Sequence, residues 1–321
     1  MIIPVSEGFS TMMLNVWVAP RSKIRIKGKG TLHPVWEVKS TVPYQKEENR
    51  YTNNARNLFA ELAHISAERN NALKKRRLAM TASSNEEAML YMQVMDSLER
   101  ISEPLNVRKS FSYIPIMEKT NISPVWLNKM REISLTLKFA DLNADYIDEL
   151  RKNIENLYGR MSEEDKMTRL GYEITANIFP HPIVEVGDEM VDADFFDING
   201  SIKHLSDYSG KYLLLDFWSI GCGPCIMALP EIREIAETYR DKLTIVSISL
   251  DTDSKWKEAM IRHDMPWENI RDPKGMGGLA ANYGVRGIPN YVMISPENVV
   301  IDKWAGYGTG YLIKKVSETI H

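Results

Sequence analysis

Two cysteines three residues apart are the side chains of this chain with the clearest chemical potential. Cys222 and Cys225 enclose Gly223 and Pro224, and the 321 residues contain no other cysteine. The pair follows an apolar strand-like run and opens a predicted helix, where Pro224 suits an early position because its missing N–H needs no partner there. A thiol at a helix N-terminus faces the positive end of the helix dipole, which favours the thiolate. The pattern predicts Cys222 as a nucleophile and Cys225 as the thiol that closes or resolves a disulfide.

A cysteine pair could instead supply two of the ligands of a zinc site. Zinc needs about four ligands, and the remaining ones would have to come from histidines. None of the six has short paired spacing: His33, His64, His181, His204, His263 and His321. The sequence therefore favours redox chemistry over a metal site or inert thiols, and it predicts no cofactor beyond a redox-active Cys222–Cys225 disulfide.

The elements that must position this pair belong to the last of three regions. Residues 1–45 hold strand-like runs at 16–18, 24–27 and 36–38, which predicts a β-rich segment that is part of an accessory β domain. Over residues 46–180 apolar residues recur at helical spacing, as in Trp126, Met130, Ile133 and Leu137, and predict a domain of five helices.

The helical pattern stops at Pro180-His181-Pro182, and strands and helices alternate from residue 181 to 321. We expect a domain boundary there, followed by βαβ units with parallel strands. The predicted fold class is thus α/β, with a mainly helical domain and a small β segment ahead of it.

Composition and charge limit the classes of partner that this chain is expected to bind. The chain is 44% hydrophobic and 26% charged with a net charge of −3, as in globular proteins. Its one basic run, residues 74–77, is interpreted as a solvated helix end, so a nucleic-acid partner is not expected. No window of 18 apolar residues predicts a membrane span, and residues 1–14 lack the features of a signal peptide. Because the sequence opens almost inside a strand-like run, we expect the natural chain to extend further upstream.

Two separated motifs give a family resemblance. The segment from Asp216 to Cys225, Asp-Phe-Trp-Ser-Ile-Gly-Cys-Gly-Pro-Cys, resembles the thioredoxin active site, and residues 285–289, Val-Arg-Gly-Ile-Pro, resemble the loop before its cis-proline. Residues 186–188, 196–200 and 247–251 are similar to segments of the TlpA/ResA-like thiol-disulfide oxidoreductases of the AhpC/TSA-redoxin superfamily. The resemblance covers about residues 184–321 and implies a thioredoxin-like fold. The preceding region is similar in layout to the N-terminal accessory domains of Bacteroidetes-type members.

The resemblance implies a role for each residue of the site. Asp216 would be a buried acid that exchanges a proton with Cys225, although an aspartate at a strand end could also be solvated. Pro289 would hold a cis bond, leaving the Ile288 backbone to pair with an extended substrate, unless it is an ordinary turn proline. Four further residues would contribute to substrate binding, with core packing the alternative for the first: Trp218, Gly221, Gly223 and Pro224.

The sequence departs from the family pattern at two positions. Thioredoxin-like segments usually carry a tryptophan just before the first cysteine, where this chain has Gly221, so we expect a smaller lip and different specificity. Ala228 occupies the position where the TlpA/ResA-like branch often has an acid, while Pro230 matches its helix proline. The acid function is therefore expected to rest on Asp216 alone.

These observations predict a thiol-disulfide oxidoreductase that reduces protein disulfides and takes electrons from an upstream thiol donor. The alternative is a partner-binding envelope protein with a regulatory or vestigial redox module. A peroxidase is disfavoured, since no Pro-x-x-x-Thr motif precedes Cys222. The missing export signal argues for the cytoplasm, but the resemblance implies a periplasmic or envelope-facing location, which we favour.

Overall fold

The computed structural model describes residues 12–30, 33–82, 84–141 and 143–320. The chain divides into two compact units, Met1–Met161 and Ser162–His321. The first eleven residues of the predicted β-rich segment lie outside the described residues.

The first unit opens with a two-stranded antiparallel sheet. Strand β1, Ile24–Lys27, pairs with strand β2, Glu37–Ser40. The strand expected at residues 16–18 is wrong, because the backbone N–H of Trp17 donates to the Gln45 side chain (2.8 Å) and not to another strand.

Seven helices lie in the described part of the region where five were expected. The count rises because one helix ends and the next begins at Ala55, and because Ser162 and Thr168 each cap a short helix with their side chains. Ser84 is the N-cap residue of the third helix and has capping-box spacing to Glu87, but its side chain makes no cap bond. The helices are α1 Pro43–Asn54, α2 Arg56–Thr81, α3 Asn85–Glu118, α4 Pro124–Phe139, α5 Ile147–Tyr158, α6 Glu163–Lys166 and α7 Arg169–Ile178.

The core of the first unit contains the apolar stripe predicted on α4. Trp126, Met130 and Ile133 are fully buried, which confirms that this stripe packs inside the unit. Among them lies one buried cation: Lys129 Nζ is 2.8 Å from Glu48 Oε1 and 2.8 Å from Glu132 Oε1. Burial disfavours the charge of Lys129, but the two carboxylates outweigh this and raise its pKa above the ordinary value.

The second unit is built on a seven-stranded sheet of order β4-β3-β7-β6-β5-β8-β9. Strand β6 pairs in parallel with β5 and β7, so the expectation of parallel strands holds for the centre of the sheet. The other pairs of neighbouring strands in this sheet are antiparallel. The strands are β3 Phe195–Phe196, β4 Ile202–Lys203, β5 Tyr212–Trp218, β6 Leu243–Ser249, β7 Glu268–Arg271, β8 Asn290–Ile294 and β9 Val300–Ala305. The helices of the alternating region are α8 Gly223–Thr238, α9 Asp253–Arg262, α10 Leu279–Asn282 and α11 Tyr311–Thr319.

Both faces of the central strand β5 are buried, as its continuous apolar run requires. Leu213, Leu215 and Phe217 enter the core on one face, and Leu214 enters the core on the other, with residues of α8 and α11. This layered arrangement of helices on a mixed sheet confirms the thioredoxin-like fold expected for the C-terminal region.

Helix α7 belongs to the second unit. Glycine at position 277 allows its close approach, since a Cβ there would lie 2.3 Å from the backbone nitrogen of Glu173. The units therefore divide at 161/162, whereas the expected domain boundary lies at 180/181. The separation of residues 1–45 from 46–180 as domains of their own stays a prediction.

Candidate active site

The cysteine pair lies at the start of α8, just after the loop that follows the central strand β5. Cys222 is the N-cap residue of α8, and Cys225 lies in the first turn. The two form a disulfide with the Cα atoms 5.3 Å apart. The backbone N–H of Cys225 donates to Cys222 Sγ (3.2 Å), a contact that would favour a thiolate at Cys222 once the disulfide is reduced. Cys222 is half-buried and Cys225 only 2% exposed, so an incoming disulfide can reach Cys222.

The Ile288–Pro289 loop forms one wall beside the pair. The peptide bond between the two residues is cis, as the resemblance implied. The carbonyl oxygen of Ile288 lies 3.5 Å from Cys222 Sγ. Strand register explains this meeting, because β8 begins next to the end of β5, with Asn290 opposite Phe217. A groove of about 450 Å³ runs along this loop, between Arg286, Pro289 and Gly306.

Asp216 lies inside the protein and not at a solvated strand end. It is 1% exposed, and its Oδ2 accepts a hydrogen bond from Ser247 Oγ at 2.7 Å, while Oδ1 has no hydrogen-bond partner. Burial raises the pKa of Asp216 to about 7, and the Ser247 hydrogen bond acts in the opposite direction. Side chains alternate along a strand, so Asp216 faces the same side of the sheet as Leu214 and Trp218. That side is the one covered by α8, which carries Cys225.

Trp218 occupies the core position that was the alternative to a role in substrate binding. It is 1% exposed and packs with Cys225, Trp256 and Ala259 beneath the site. The tryptophan is therefore a floor under the disulfide, with no open face toward a substrate.

The small residues around the cysteines form the exposed rim. Gly221, Gly223 and Pro224 are all exposed. A Cβ at Gly221 would meet only Ser219 Oγ, at 3.9 Å, and one at Gly223 would have no neighbour within 4 Å. The lip at Gly221 is thus small and exposed, while its effect on specificity stays a prediction.

Asp251 is a site residue to which sequence reasoning gave no role. It follows β6 and is 8% exposed, and its Oδ2 accepts the backbone N–H of Ile220 at 2.7 Å. This bond holds the loop two residues before Cys222. Its signals in the sequence were its position directly after an apolar strand and its place at the end of the family-like segment 247–251.

The acid nearest the family position on α8 serves another purpose. Ala228 is fully buried, and Glu231, three residues further on, accepts the backbone N–H groups of Gly310 (3.1 Å) and Ile313 (2.7 Å) at the start of α11. Glu231 therefore caps a helix and leaves Asp216 as the buried acid behind the pair.

In the portion of the chain that the structure describes, no cluster of three or more His, Cys, Asp and Glu side chains is arranged to hold a metal ion. Within the same residues, none of the helices is both long and apolar enough to cross a membrane.

Comparison with known proteins matches the second unit. A family model described as the AhpC/TSA family covers residues 186–304. The thiol-disulfide oxidoreductase ResA of Bacillus thuringiensis is 30% identical over 128 residues, which are 39% of this chain and 73% of that protein. The thioredoxin-like protein YneN of Bacillus subtilis is 27% identical over 128 residues, 38% of this chain and 73% of that protein. The solved thioredoxin domain of a thiol-disulfide oxidoreductase from Bacteroides vulgatus aligns with 43% of this chain and 99% of its own, at a TM-score of 0.40 and 23% identity.

Proposed function

Since the chain belongs to the TlpA/ResA-like family of thiol-disulfide oxidoreductases, we propose that its Cys222–Cys225 pair reduces disulfides of other proteins. The observation that carries the proposal is the unequal exposure of the two sulfurs. Cys222 is reachable at the helix N-terminus beside the Ile288 carbonyl, while Cys225 lies buried behind it. This is the arrangement that a nucleophile and a resolving thiol require.

The reaction proceeds in two exchanges. The Cys222 thiolate attacks one sulfur of the client disulfide, so that a mixed disulfide forms and the other client sulfur leaves as a thiol after taking up a proton. Cys225 then attacks Cys222 Sγ, which releases the second client thiol and forms the Cys222–Cys225 disulfide seen in the structure. Two electrons pass to the client, and the cysteines carry them without a further cofactor.

Asp216 serves the second exchange. Cys225 must lose its proton as it attacks, and a buried carboxylate with a pKa of about 7 can accept a proton near neutral pH. The placement of Asp216 on the α8 side of the sheet supports this role. The proton is released again when a thiol donor reduces the pair.

The Ile288–Pro289 loop binds the client. A cysteine-containing segment in extended conformation would pair with the Ile288 backbone, next to the attacked sulfur. Gly221, Gly223 and Pro224 line the opposite rim, and their small size leaves room for a bulky client.

The dipeptide between the cysteines supports the proposed direction of the reaction, and the family supports its proposed place. Gly-Pro between the cysteines is the thioredoxin dipeptide, and thioredoxin has a reduction potential of about −270 mV, which makes it a reductant. A reductant must itself be reduced again, so we assign it an upstream thiol donor. The family resemblance is the basis for assigning a periplasmic or envelope-facing location.

The test is reduction of a model protein disulfide with dithiothreitol as donor. Cys222→Ser should abolish turnover, and Cys225→Ser should accumulate a mixed disulfide that is visible on a non-reducing gel. Glu234→Gln, an exposed change on the same helix, should keep wild-type turnover. Wild-type turnover by Cys222→Ser would refute the mechanism. A midpoint potential near −120 mV, the value of strong oxidants, would reverse the direction.

A further inference from the structure

A second, smaller cavity is lined by Ile288, the residue whose carbonyl oxygen lies beside Cys222. Its volume is about 220 Å³, and its lining includes Ser219 from the loop before Cys222 together with Asp251 and Met276. Ile288 lines both this cavity and the 450 Å³ groove. A client segment that pairs with Ile288 would therefore lie next to both depressions.

Two cations line the smaller cavity, and they come from different helices. Arg169 is the first residue of α7, which lies outside the matched family region 186–304. Its guanidinium donates to the carbonyl oxygen of Leu250 and packs where a side chain of Gly275 would stand, since a Cβ there would lie 2.5 Å from Nε. Lys255 is exposed on α9.

The charges of these two cations are not neutralised by ion pairs with carboxylates of the described residues. Among the residues that the structure describes, neither Arg169 nor Lys255 has a carboxylate within ion-pair distance. Asp253, the acid nearest Lys255 in sequence, lies 2.9 Å from Lys257 and 3.7 Å from Arg271. Asp251 is the acid in the lining, and its Oδ2 already accepts from Ile220 N and Ser249 Oγ. The cavity thus has an excess of positive charge.

We propose that this cavity binds a carboxylate side chain of the client, so that the protein prefers disulfides flanked by an acidic residue. The inference rests on the proposed function and adds its substrate class. Arg169 keeps N–H groups beyond the one used by Leu250, and a guanidinium pairs well with a carboxylate. Successive side chains of an extended segment point to opposite sides. One residue beside the client cysteine would then enter the small cavity while its neighbour enters the groove.

The test uses disulfide-linked peptides that carry Asp or Asn at single positions within two residues of the cysteine. At low salt, the wild-type protein should reduce the Asp peptide with a kcat/KM about three- to fivefold higher at one position or more, the size typical of a partly exposed ion pair. The preference should shrink at high salt, because salt screens exposed charges.

Variants of the two cavity cations, with one matched control, test which side chains cause the preference for the Asp peptide. Arg169→Gln and Lys255→Gln should each reduce the Asp/Asn ratio, and the double variant should bring it close to one. Arg169→Lys should keep part of the ratio. Lys257→Gln removes the same charge from the same helix without lining the cavity, so it should keep the full ratio. Lys255→Gln leaves the Arg169–Leu250 contact untouched and therefore separates recognition from any effect on folding.

The outcomes separate the two proposals. Equal rates for every Asp and Asn peptide, or a preference that survives in the double variant, would overturn the cavity assignment and leave the proposed function standing. Failure of the wild-type protein to reduce any peptide or protein disulfide would overturn both.

Discussion

Asp216 and Ser247 lie opposite each other on the parallel strands β5 and β6, and the Ser247 hydroxyl donates to Asp216 Oδ2 across 2.7 Å. The same hydroxyl accepts from Trp267 Nε1 at 2.8 Å. The buried carboxylate thus receives one hydrogen bond from a neutral side chain. This bond does not offset the loss of hydration on burial. Asp216 therefore has a pKa of about 7, and a general acid or base works best when its pKa lies near the working pH.

This raised pKa predicts how stability changes with pH. The native state binds the Asp216 proton with a pKa of about 7, whereas the ordinary pKa of an aspartate, which applies to the unfolded chain, is 3.8. Ionisation therefore destabilises the native state as pH rises between these values. The stabilisation from the protonated acid is present at about pH 4 and lost by about pH 7. Asp216→Asn cannot ionise. Denaturant melts of the oxidised proteins should show its stability relative to wild type increasing by up to about 4 kcal/mol over that range. Parallel pH curves for the two proteins would contradict the assignment.

Ser247→Ala should raise the pKa of Asp216 further. The substitution removes the hydrogen bond that favours the ionised carboxylate. The pH profile of the resolving step, followed by release of the mixed disulfide, should therefore move to higher pH. Trp267→Phe removes only the indole donor and leaves the bond to Asp216, so it should not move the profile upward. An identical profile for Ser247→Ala and wild type would show that Asp216 does not set this step.

Gly221→Trp should fold normally and alter client selection. The position is exposed, and a Cβ there meets nothing closer than 3.9 Å, so the free energy of unfolding should change by no more than about 0.5 kcal/mol. The added ring would narrow the lip, which should change KM for protein disulfides more than for glutathione disulfide. Gly221→Ala keeps the lip small and is the matched control. Equal changes for large and small disulfides would argue against a role for the lip.

In the first unit, Lys129→Met should be strongly destabilising. The substitution leaves the Glu48 and Glu132 carboxylates without the cation that lies 2.8 Å from each. Breaking a buried ion pair in this way costs about 3–5 kcal/mol, which urea unfolding would measure. Lys152→Met removes an exposed lysine on α5 and should cost little. If both variants unfold at the same urea concentration, the buried cluster does not stabilise this unit.

Local patterns were enough to predict the parts of the fold that are set by local physics. The apolar run that became β5, the helix opened by the cysteines and the α4 stripe around Trp126 each carry their signal within a few residues. The run at residues 16–18 has the same β propensity, yet none of the described residues pairs with it as a strand, and the Trp17 backbone bonds to the side chain of Gln45 on a helix instead. Strand β7, Glu-Asn-Ile-Arg, is mostly polar, so its place in the sheet could not be read from hydrophobic pattern.

The site was predictable to the same extent. Cys222, Cys225 and Asp216 stand close together in sequence, and Ile288–Pro289 form a motif of their own. The roles of Asp251 and Arg169 depend on contacts with Ile220 and Leu250, which lie 31 and 81 residues away. Such contacts appear only when strand order and helix packing are known, and neither is set by local composition.

The approach of Ile288 to Cys222 also has a consequence during synthesis. The two residues are 66 positions apart, and at about 5–20 residues per second a ribosome needs roughly 3 to 13 s to add that length. Both cysteines therefore leave the ribosome well before the loop that will screen them. During that interval the Ile288–Pro289 loop does not yet cover one side of the two thiols. Their selectivity toward other thiols therefore develops only when β8 and β9 join the sheet.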